Sequence, residues 1–431
     1  MTTHIGLLGC GTVGAAVAEM LLTEKTLLAR RSGQTLALKR ILIRDRAKAR
    51  SPAIPTTLYT TNPDDILNDP EIRIVVEVMG GVNPAKTFSL RALKAGKLLV
   101  TANKHLLALH GAQIFRAAAQ ADSCVGFEAS CGGAIPIVLA LTRGLVANEI
   151  QQVVGIVNGT CNYILSEMSA TGKSYSVALA EAQAAGFAEP DPTLDVTGGD
   201  SAHKLAILAA LAFGGQVPFG RIHVSGINHI DDMDLRFGLE LGYVCKLLAI
   251  AEKHGQSISL RVHPTFIARQ HLLGNVNGSF NAIAVVGHVS GQTIYYGRGA
   301  GGRPTASAVL ADIVEAAMGT APLLFKKLPL LNHRAALRIL PIENVSSRHY
   351  LRMQVLDRPG MLHQITGILG QRGISLAAMV QHEARNDQYV PLVIMTHAAP
   401  DGNVVEALTK IDRLRGIRSP TRHIRVIDPP F

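Results

Sequence analysis

One stretch concentrates the side chains able to bind and protonate a small polar molecule. It runs Gly186-Phe187-Ala188-Glu189-Pro190-Asp191-Pro192-Thr193-Leu194-Asp195 and continues Val196-Thr197-Gly198-Gly199-Asp200-Ser201-Ala202-His203-Lys204. Two prolines stiffen the first part into a loop, so its acids are not spent on helical partners. Asp200 and Lys204 stand one turn apart at the start of a helical pattern and share a face. An isolated pair of this kind is usually an exposed ion pair of little consequence. Here Glu189, Asp191, Asp195 and Asp200 crowd one lysine in an otherwise uncharged, Ala- and Leu-rich segment. Acids beside a cleft suit a ligand ammonium, and a lysine there suits proton transfer. A second lysine, Lys104, ends the run Val100-Thr101-Ala102-Asn103-Lys104. It lies just past the C-terminal end of an expected parallel strand, where open α/β sheets bind their ligands. The plainer reading of Lys104 is a solvated surface lysine.

Gly9-Cys10-Gly11-Thr12-Val13-Gly14 follows a short apolar strand and opens a helical pattern. A GxGxxG in that context reads as a dinucleotide loop. Its glycines allow a tight turn and close approach to a pyrophosphate, and the helix start supplies N–H donors. The end of the next strand comes about thirty residues on rather than about twenty. Arg44 stands there, with Asp45 after it and Lys48 nearby. An acid at this point holds a ribose hydroxyl, whereas an arginine holds a 2′-phosphate. Arg44 therefore favours NADP, and Asp45 leaves NAD open.

The elements that must position these groups alternate in kind. Strands are expected at residues 4–8, 36–43, 74–79 and 98–100, with helices at residues 15–28 and 84–95. That alternation predicts a parallel, doubly wound sheet of the Rossmann type. The nucleotide domain is expected over residues 1–134, completed by about 290–322, where Gly297-Arg298-Gly299-Ala300-Gly301-Gly302 precedes an apolar helix at 305–317. An α+β substrate domain occupies residues 135–289, with a long helix over 201–213. Residues 323–344 read as a linker. A last β-α-β unit over residues 345–431 fits a ferredoxin-like module, with strands at 350–355, 374–382, 390–396 and 417–426 and helices at 359–371 and 402–411. Within it Asp357-Arg358-Pro359-Gly360 joins strand to helix, a tight turn whose N–H groups can hold a carboxylate.

The chain has 431 residues, 48% of them hydrophobic, which fits two or three packed domains. The net charge of +10 comes from residues spread along the chain, without interleaved aromatics and with no Trp at all. That pattern argues against nucleic acid and for attraction of anionic ligands such as nucleotide phosphates. No apolar run is long enough to span a bilayer, and the start lacks the features of a signal peptide. Cytoplasmic residence is expected. Five cysteines, Cys10, Cys124, Cys131, Cys161 and Cys245, show no paired or zinc-like spacing and are expected as free thiols.

Seven segments, GLLGCGTVG, VVEVMGG, LLVTANK, FEASCGGAIP, GIVNGTCNYIL, GFAEPDPTLDVTGGDSAHK and GRGAGGRPTASAV, together resemble homoserine dehydrogenase, in that family's order from residue 6 to residue 309. Val355-Leu356-Asp357-Arg358-Pro359-Gly360-Met361-Leu362 resembles the opening of an ACT domain, which the long bacterial members carry. The resemblance implies interconversion of L-homoserine and L-aspartate 4-semialdehyde with NAD(P)(H). By motif, Lys204 corresponds to the proton donor and Lys104 to its partner at the nicotinamide. Glu189 and Asp200 correspond to the residues that position homoserine, Gly186 contributes backbone, and Thr160 and Asp195 support them. Cofactor contacts fall on Gly9, Gly11, Thr12, Val13, Gly14, Arg44, Thr101, Lys104 and Gly301. A sodium ion is implied on the backbone carbonyls of Glu128, Cys131, Gly133 and Ile135, a hard-cation site with little side-chain signature. Here Ser130-Cys131-Gly132-Gly133 stands where the family commonly has a small or branched residue followed by Ala-Gly-Gly. The resemblance further implies a homodimer or homotetramer and L-threonine as effector at the ACT domain. Two rival readings stay open: another nicotinamide-dependent amino-acid or semialdehyde dehydrogenase, and a non-catalytic amino-acid sensor.

Overall fold

The structure, a computed structural model, describes residues 2–328, 335–382 and 389–427. The chain forms two compact units. The first comprises Met1–Val153, His203–Gly220 and Phe280–Leu337, and the second Val154–Ala202, Arg221–Ser279 and Arg338–Phe431.

The first unit begins with β1 (Thr2–Leu8), α1 (Thr12–Thr23), β2 (Thr35–Leu42), β3 (Tyr59–Thr60), β4 (Ile72–Glu77), α2 (Ala85–Lys94), β5 (Leu98–Thr101), α3 (Lys104–Gln120) and β6 (Val125–Gly126). The six strands form one parallel sheet in the order β3-β2-β1-β4-β5-β6. Ile5, Leu7, Leu8, Ile74, Val75, Val76, Leu99 and Val100 are fully or almost fully buried. Runs of apolar residues, rather than alternation, are what a sheet covered on both faces requires. The order reverses between β1 and β4, the switch point at which such sheets bind nucleotides. One expected helix, residues 15–28, is instead two. α1 stops at Thr23, Glu24 leaves helical geometry, and a separate helix Lys25–Ser32 follows. α1 buries Gly14, Ala16, Val17, Ala18 and Leu21, whereas the second helix buries nothing, so no apolar stripe holds it in line.

The second unit takes over with α4 (Gly159–Thr171), and α5 (Gly199–Phe213) begins in it. The chain passes back to the first unit inside α5, between Ala202 and His203. α6 (Asp232–Glu240), β7 (Tyr243–His254) and β8 (Ser257–Ala268) belong to the second unit, with β7 and β8 an antiparallel pair twelve residues long. The hairpin β9 (Phe280–Gly287) and β10 (Gly291–Arg298) and the helix α7 (Gly302–Met318) return to the first unit, where α7 packs along α1. Residues 329–334, inside the expected linker, lie outside the described residues; before them a helix Thr320–Lys327 extends into it.

The end of the second unit is β11 (Ser346–Leu356), α8 (Met361–Gln371), β12 (Leu376–Gln381), β13 (Tyr389–Thr396), α9 (Asp401–Ile411) and β14 (Ile417–Ile427). These give the expected βαββαβ order around a core that includes Leu351, Ile365, Leu369, Ile394, Val404 and Ile411. The sheet does not stop at the module. β14 pairs antiparallel with β11 on one side and parallel with β8 on the other, through Thr265↔Arg425, Phe266↔Val426 and Ile267↔Ile427. Beside this seam the Arg352 guanidinium is buried and donates to both oxygens of Asp234, at 2.6 and 3.0 Å, and to Asp231 at 2.5 Å. The Tyr350 hydroxyl donates to the same Asp234 at 3.2 Å. Among the described residues no single helix is long and apolar enough to cross a membrane.

Candidate active site

On the nucleotide side the loop after β1 has the shape its glycines predict. Gly9 has φ of +105° and its N–H donates to the Leu42 carbonyl at 3.1 Å. A side chain at Gly9 would meet the Val78 carbonyl and Met79 after β4, and one at Gly14 would strike the Gly9 carbonyl at 2.3 Å. At Gly11, by contrast, the space is open. α1 has no side-chain cap, so the first-turn N–H groups of Thr12, Val13 and Gly14 face outward as a ready anion site. Closure tight enough to exclude a Cβ, next to an uncapped helix start with room before it, fits a dinucleotide pyrophosphate. Gly301, with φ of +116°, caps α7, and Gly302 lies against the Thr12 carbonyl, so the late Gly-rich turn borders the loop. Arg44 is exposed two residues past β2 and makes no ion pair among the described residues. The Asp45 carboxylate accepts the Ala47 N–H at 2.8 Å, which closes its own turn.

Lys104 is presented by a turn that rests on a buried acid. The Glu77 carboxylate accepts the Thr101 hydroxyl at 2.7 Å and the Met79 N–H at 2.9 Å, and the Asn103 amide lies 3.4 Å away. Burial raises its pKa, against these hydrogen bonds. Asn103 then caps α3 by accepting the Leu106 N–H at 3.0 Å, which fixes Lys104 as the first helical residue. Lys204 is buried on α5. His105 and His203, each next in sequence to one of the lysines, meet with ring centroids 4.5 Å apart, and Phe219 stacks on His203 at 5.0 Å. The Cys131 thiol donates to the Lys204 carbonyl at 3.8 Å; burial pushes its pKa up to about 12, although both lysines lie near enough to pull it down. The first unit thus brings Lys104 and Lys204 to one neighbourhood.

The second unit holds the acids. Asn158 caps α4 by accepting the Cys161 N–H at 2.8 Å, and its buried amide donates to Asp195 at 2.7 Å and Asp200 at 2.9 Å. Thr160 has a single hydroxyl proton. It goes to the Phe187 carbonyl at 2.6 Å, with Asp195 3.3 Å away. Thr160, Asp195 and Asp200 therefore form one cluster, in which two carboxylates share one amide. Gly186, with φ of +74°, and Glu189 lie on the exposed loop beside it. The Glu189 carbonyl accepts from the Gln183 side chain at 3.2 Å, while its carboxylate makes no ion pair among the described residues.

Sequence reasoning missed Asn158, Glu77 and the His105–His203 contact. Glu77 carried a signal, as the lone acid in an apolar strand. Asn158 carried none, since an asparagine before glycine reads as a turn. In the module at the chain's end, the Asp357–Gly360 turn is exposed, Gly360 has φ of +90°, and α8 starts after it without a side-chain cap.

Comparisons with known proteins agree across the chain. Family profiles described as "Homoserine dehydrogenase, NAD binding domain", "Homoserine dehydrogenase" and "ACT domain" match residues 9–128, 136–314 and 349–413. The chain is 40% identical over 427 residues to a homoserine dehydrogenase of Neisseria gonorrhoeae, covering 98% of each. A crystal structure of a homoserine dehydrogenase from Thiobacillus denitrificans superposes with a TM-score of 0.94 at 42% identity, covering 99% of each chain. A hyperthermophilic archaeal homoserine dehydrogenase in complex with NADPH matches 73% of this chain and 98% of its own, with a TM-score of 0.61 at 26% identity.

Proposed function

The chain belongs to the homoserine dehydrogenase family, and on that premise we propose how its own residues carry out the interconversion of L-homoserine and L-aspartate 4-semialdehyde. The observation that carries the reading is helix α5 itself, on which Asp200, held by the Asn158 amide, and Lys204 stand one turn apart.

The acids bind the substrate's α-ammonium. Asp200 and Asp195 already share the Asn158 amide, and Glu189 adds a carboxylate from the loop. Fixing the amino acid in this way sets its reacting carbon, and positioning can supply several kcal/mol of the barrier. A nicotinamide, when bound, supplies the hydride in reduction and accepts it in oxidation. As the aldehyde carbon is reduced, negative charge grows on its oxygen. Lys204 gives that oxygen a proton, and takes it back from the hydroxyl in the oxidative direction. Lys104, at the head of α3, stabilises the same charge as a second cation.

The cofactor would be held by Gly9, Gly11, Thr12, Val13 and Gly14, with Thr101, Lys104 and Gly301 beside it. NADP is preferred, because Arg44 offers an unpaired guanidinium while Asp45 is engaged with its own turn; the NADPH complex of the archaeal relative supports this. A sodium ion belongs to the same reading, on the carbonyls of Glu128, Cys131, Gly133 and Ile135. Those of Glu128 and Ile135 each accept one backbone N–H and keep a second lone pair. The Glu128 side chain is not the ligand, since it accepts the N–H groups of Val138 and Leu139 at 2.8 and 2.7 Å. The five free thiols suit a reducing compartment, and the reading places the enzyme in the cytoplasm as a homodimer or homotetramer.

Two substitutions test the lysine and acid roles. Lys204→Ala is expected to lower kcat by about two orders of magnitude or more, the loss of a positioned general acid. Glu189→Gln should chiefly raise KM for homoserine. A kcat for Lys204→Ala within a few-fold of wild type would remove that lysine from the chemistry. L-Threonine, bound at the Asp357–Gly360 turns of paired ACT modules, lowers activity by favouring a less active state. Inhibition that is competitive with homoserine would instead put threonine in the active site.

A further inference from the structure

The first unit contains a cavity of ≈ 490 Å³ that the reaction described above does not use. Its walls are α3, through Gly111 and Phe115, and α5, through Ala206 and Ala210, with Phe325 closing one side. The Phe115 ring packs tilted against Phe127 at 5.2 Å and edge-on against Phe325 at 6.0 Å, giving an angled aromatic wall. At the rim stands Arg116, exposed and without an ion pair among the described residues. The volume lies in the range of small-molecule sites, which are mostly apolar with a few polar groups to orient the ligand.

The same two helices carry the lysines. α3 begins at Lys104, and Lys204 stands near the start of α5. His105 and His203 join the helices there, at 4.5 Å, while the cavity opens between residues further along both. A molecule lodged in the cavity would touch both α3 and α5, the helices that the ring contact joins next to each lysine.

We propose that this cavity is a second ligand site, for a small molecule with a flat apolar body and one carboxylate, and that filling it changes turnover by shifting the lysine-bearing ends of α3 and α5. The aromatic wall takes the ring, and Arg116 takes the carboxylate through its two-pronged guanidinium. Coupling requires the ligand to bind the two helix arrangements with different affinity. The coupling half rests on the roles given to Lys104 and Lys204; the binding half does not.

Indole-3-acetate serves as probe on the full chain. The protein has no Trp, so indole fluorescence reports the probe alone. Its anisotropy should rise saturably to one site per chain, without substrate present. Arg116→Gln should weaken binding about tenfold, the loss of one charge-assisted interaction. Ala210→Phe fills the cavity and should abolish binding; Gly111→Leu does the same from the facing helix, should the first variant fail to fold. At saturating probe, kcat with homoserine should change by about twofold or more, a typical small coupling, in wild type but not in the filled variant. Absence of saturable binding, or binding that survives both filling variants, overturns the site. An unchanged kcat at saturation, or a rise in KM for homoserine alone, overturns the coupling. Anisotropy fails independently of the lysine assignments, which Lys204→Ala tests by itself.

Discussion

Asn158 makes no contact with any reacting bond in the proposed scheme, yet it ties together Asp195 and Asp200, the acids to which that scheme gives the substrate's ammonium. Removing its amide leaves the half-buried Asp195 and the buried Asp200 without their shared donor. Asn158→Ala should therefore raise KM for homoserine by about tenfold, the worth of one hydrogen bond to a charged group, with a smaller effect on kcat. Asn158→Asp should be worse, and increasingly so as pH rises, because it adds a third carboxylate. Steady-state kinetics across pH would check both; a KM unmoved by either change rules out the bridging role. Arg44 is a simpler case. Arg44→Ala should weaken kcat/KM for NADP by about tenfold, one charge-assisted pair, and leave NAD nearly unchanged. Equal kcat/KM for the two cofactors in wild type would count against Arg44 as the discriminator. The acids and lysines were legible in the sequence because rare charges stood out in an apolar context. Asn158 was not, because its function comes from partners about forty residues away that only folding brings together.

The elements were legible to different degrees. β1, β4 and β5 are short apolar runs with a glycine close to one end, and their type was plain. The helix expected over residues 15–28 was read too long, since composition alone did not show that the stripe of buried residues ends at Leu21. What no periodicity could show is that β14 pairs beyond its own module, because pairing partners of a parallel strand leave no local signal. That seam has an energetic consequence. Arg352 neutralises Asp234 in a buried setting, so Arg352→Ala strands a charge and should cost about 3–5 kcal/mol, whereas the Arg352→Met, Asp234→Leu double variant should recover much of it. Denaturant unfolding would measure this. A single variant that costs under about 1 kcal/mol would show the pair to be solvated and dispensable. Truncation before β11 is for the same reason a poor test of regulation, since it unpairs the β8 edge along with removing the module.

At the scale of the whole molecule, a buried lysine and a half-buried glutamate in the second unit make stability rise with pH in two separate windows. Burial pulls the Lys246 ammonium down to about 8, although it donates to the Val276 carbonyl at 2.6 Å, Asn277 at 3.1 Å and Asn162 at 3.2 Å. Between about pH 8 and the ordinary lysine value near 10.4, the unfolded chain binds more protons than the folded one, so stability rises with pH there. Burial pushes the Glu252 carboxyl up, but His254 and Arg261 outweigh it and hold it at about 2. Its contribution is present above about pH 4.5 and is lost as pH falls towards 2. Thermal midpoints should show Lys246→Met lacking the alkaline gain and Glu252→Gln lacking the acid loss, each relative to wild type. Parallel curves for variant and wild type would contradict the assignment. The seam at β14 also has a consequence in time. Synthesis completes β8 long before it reaches β14, and a ribosome adding about 5–20 residues per second leaves that strand edge open for on the order of ten seconds. For part of that interval Asp234 waits for Arg352, and the end of β8 at Thr265–Ile267 is an open edge available to any other strand. The nascent chain is thus most exposed to misassembly just before its last strand emerges, which is where a chaperone would have to act.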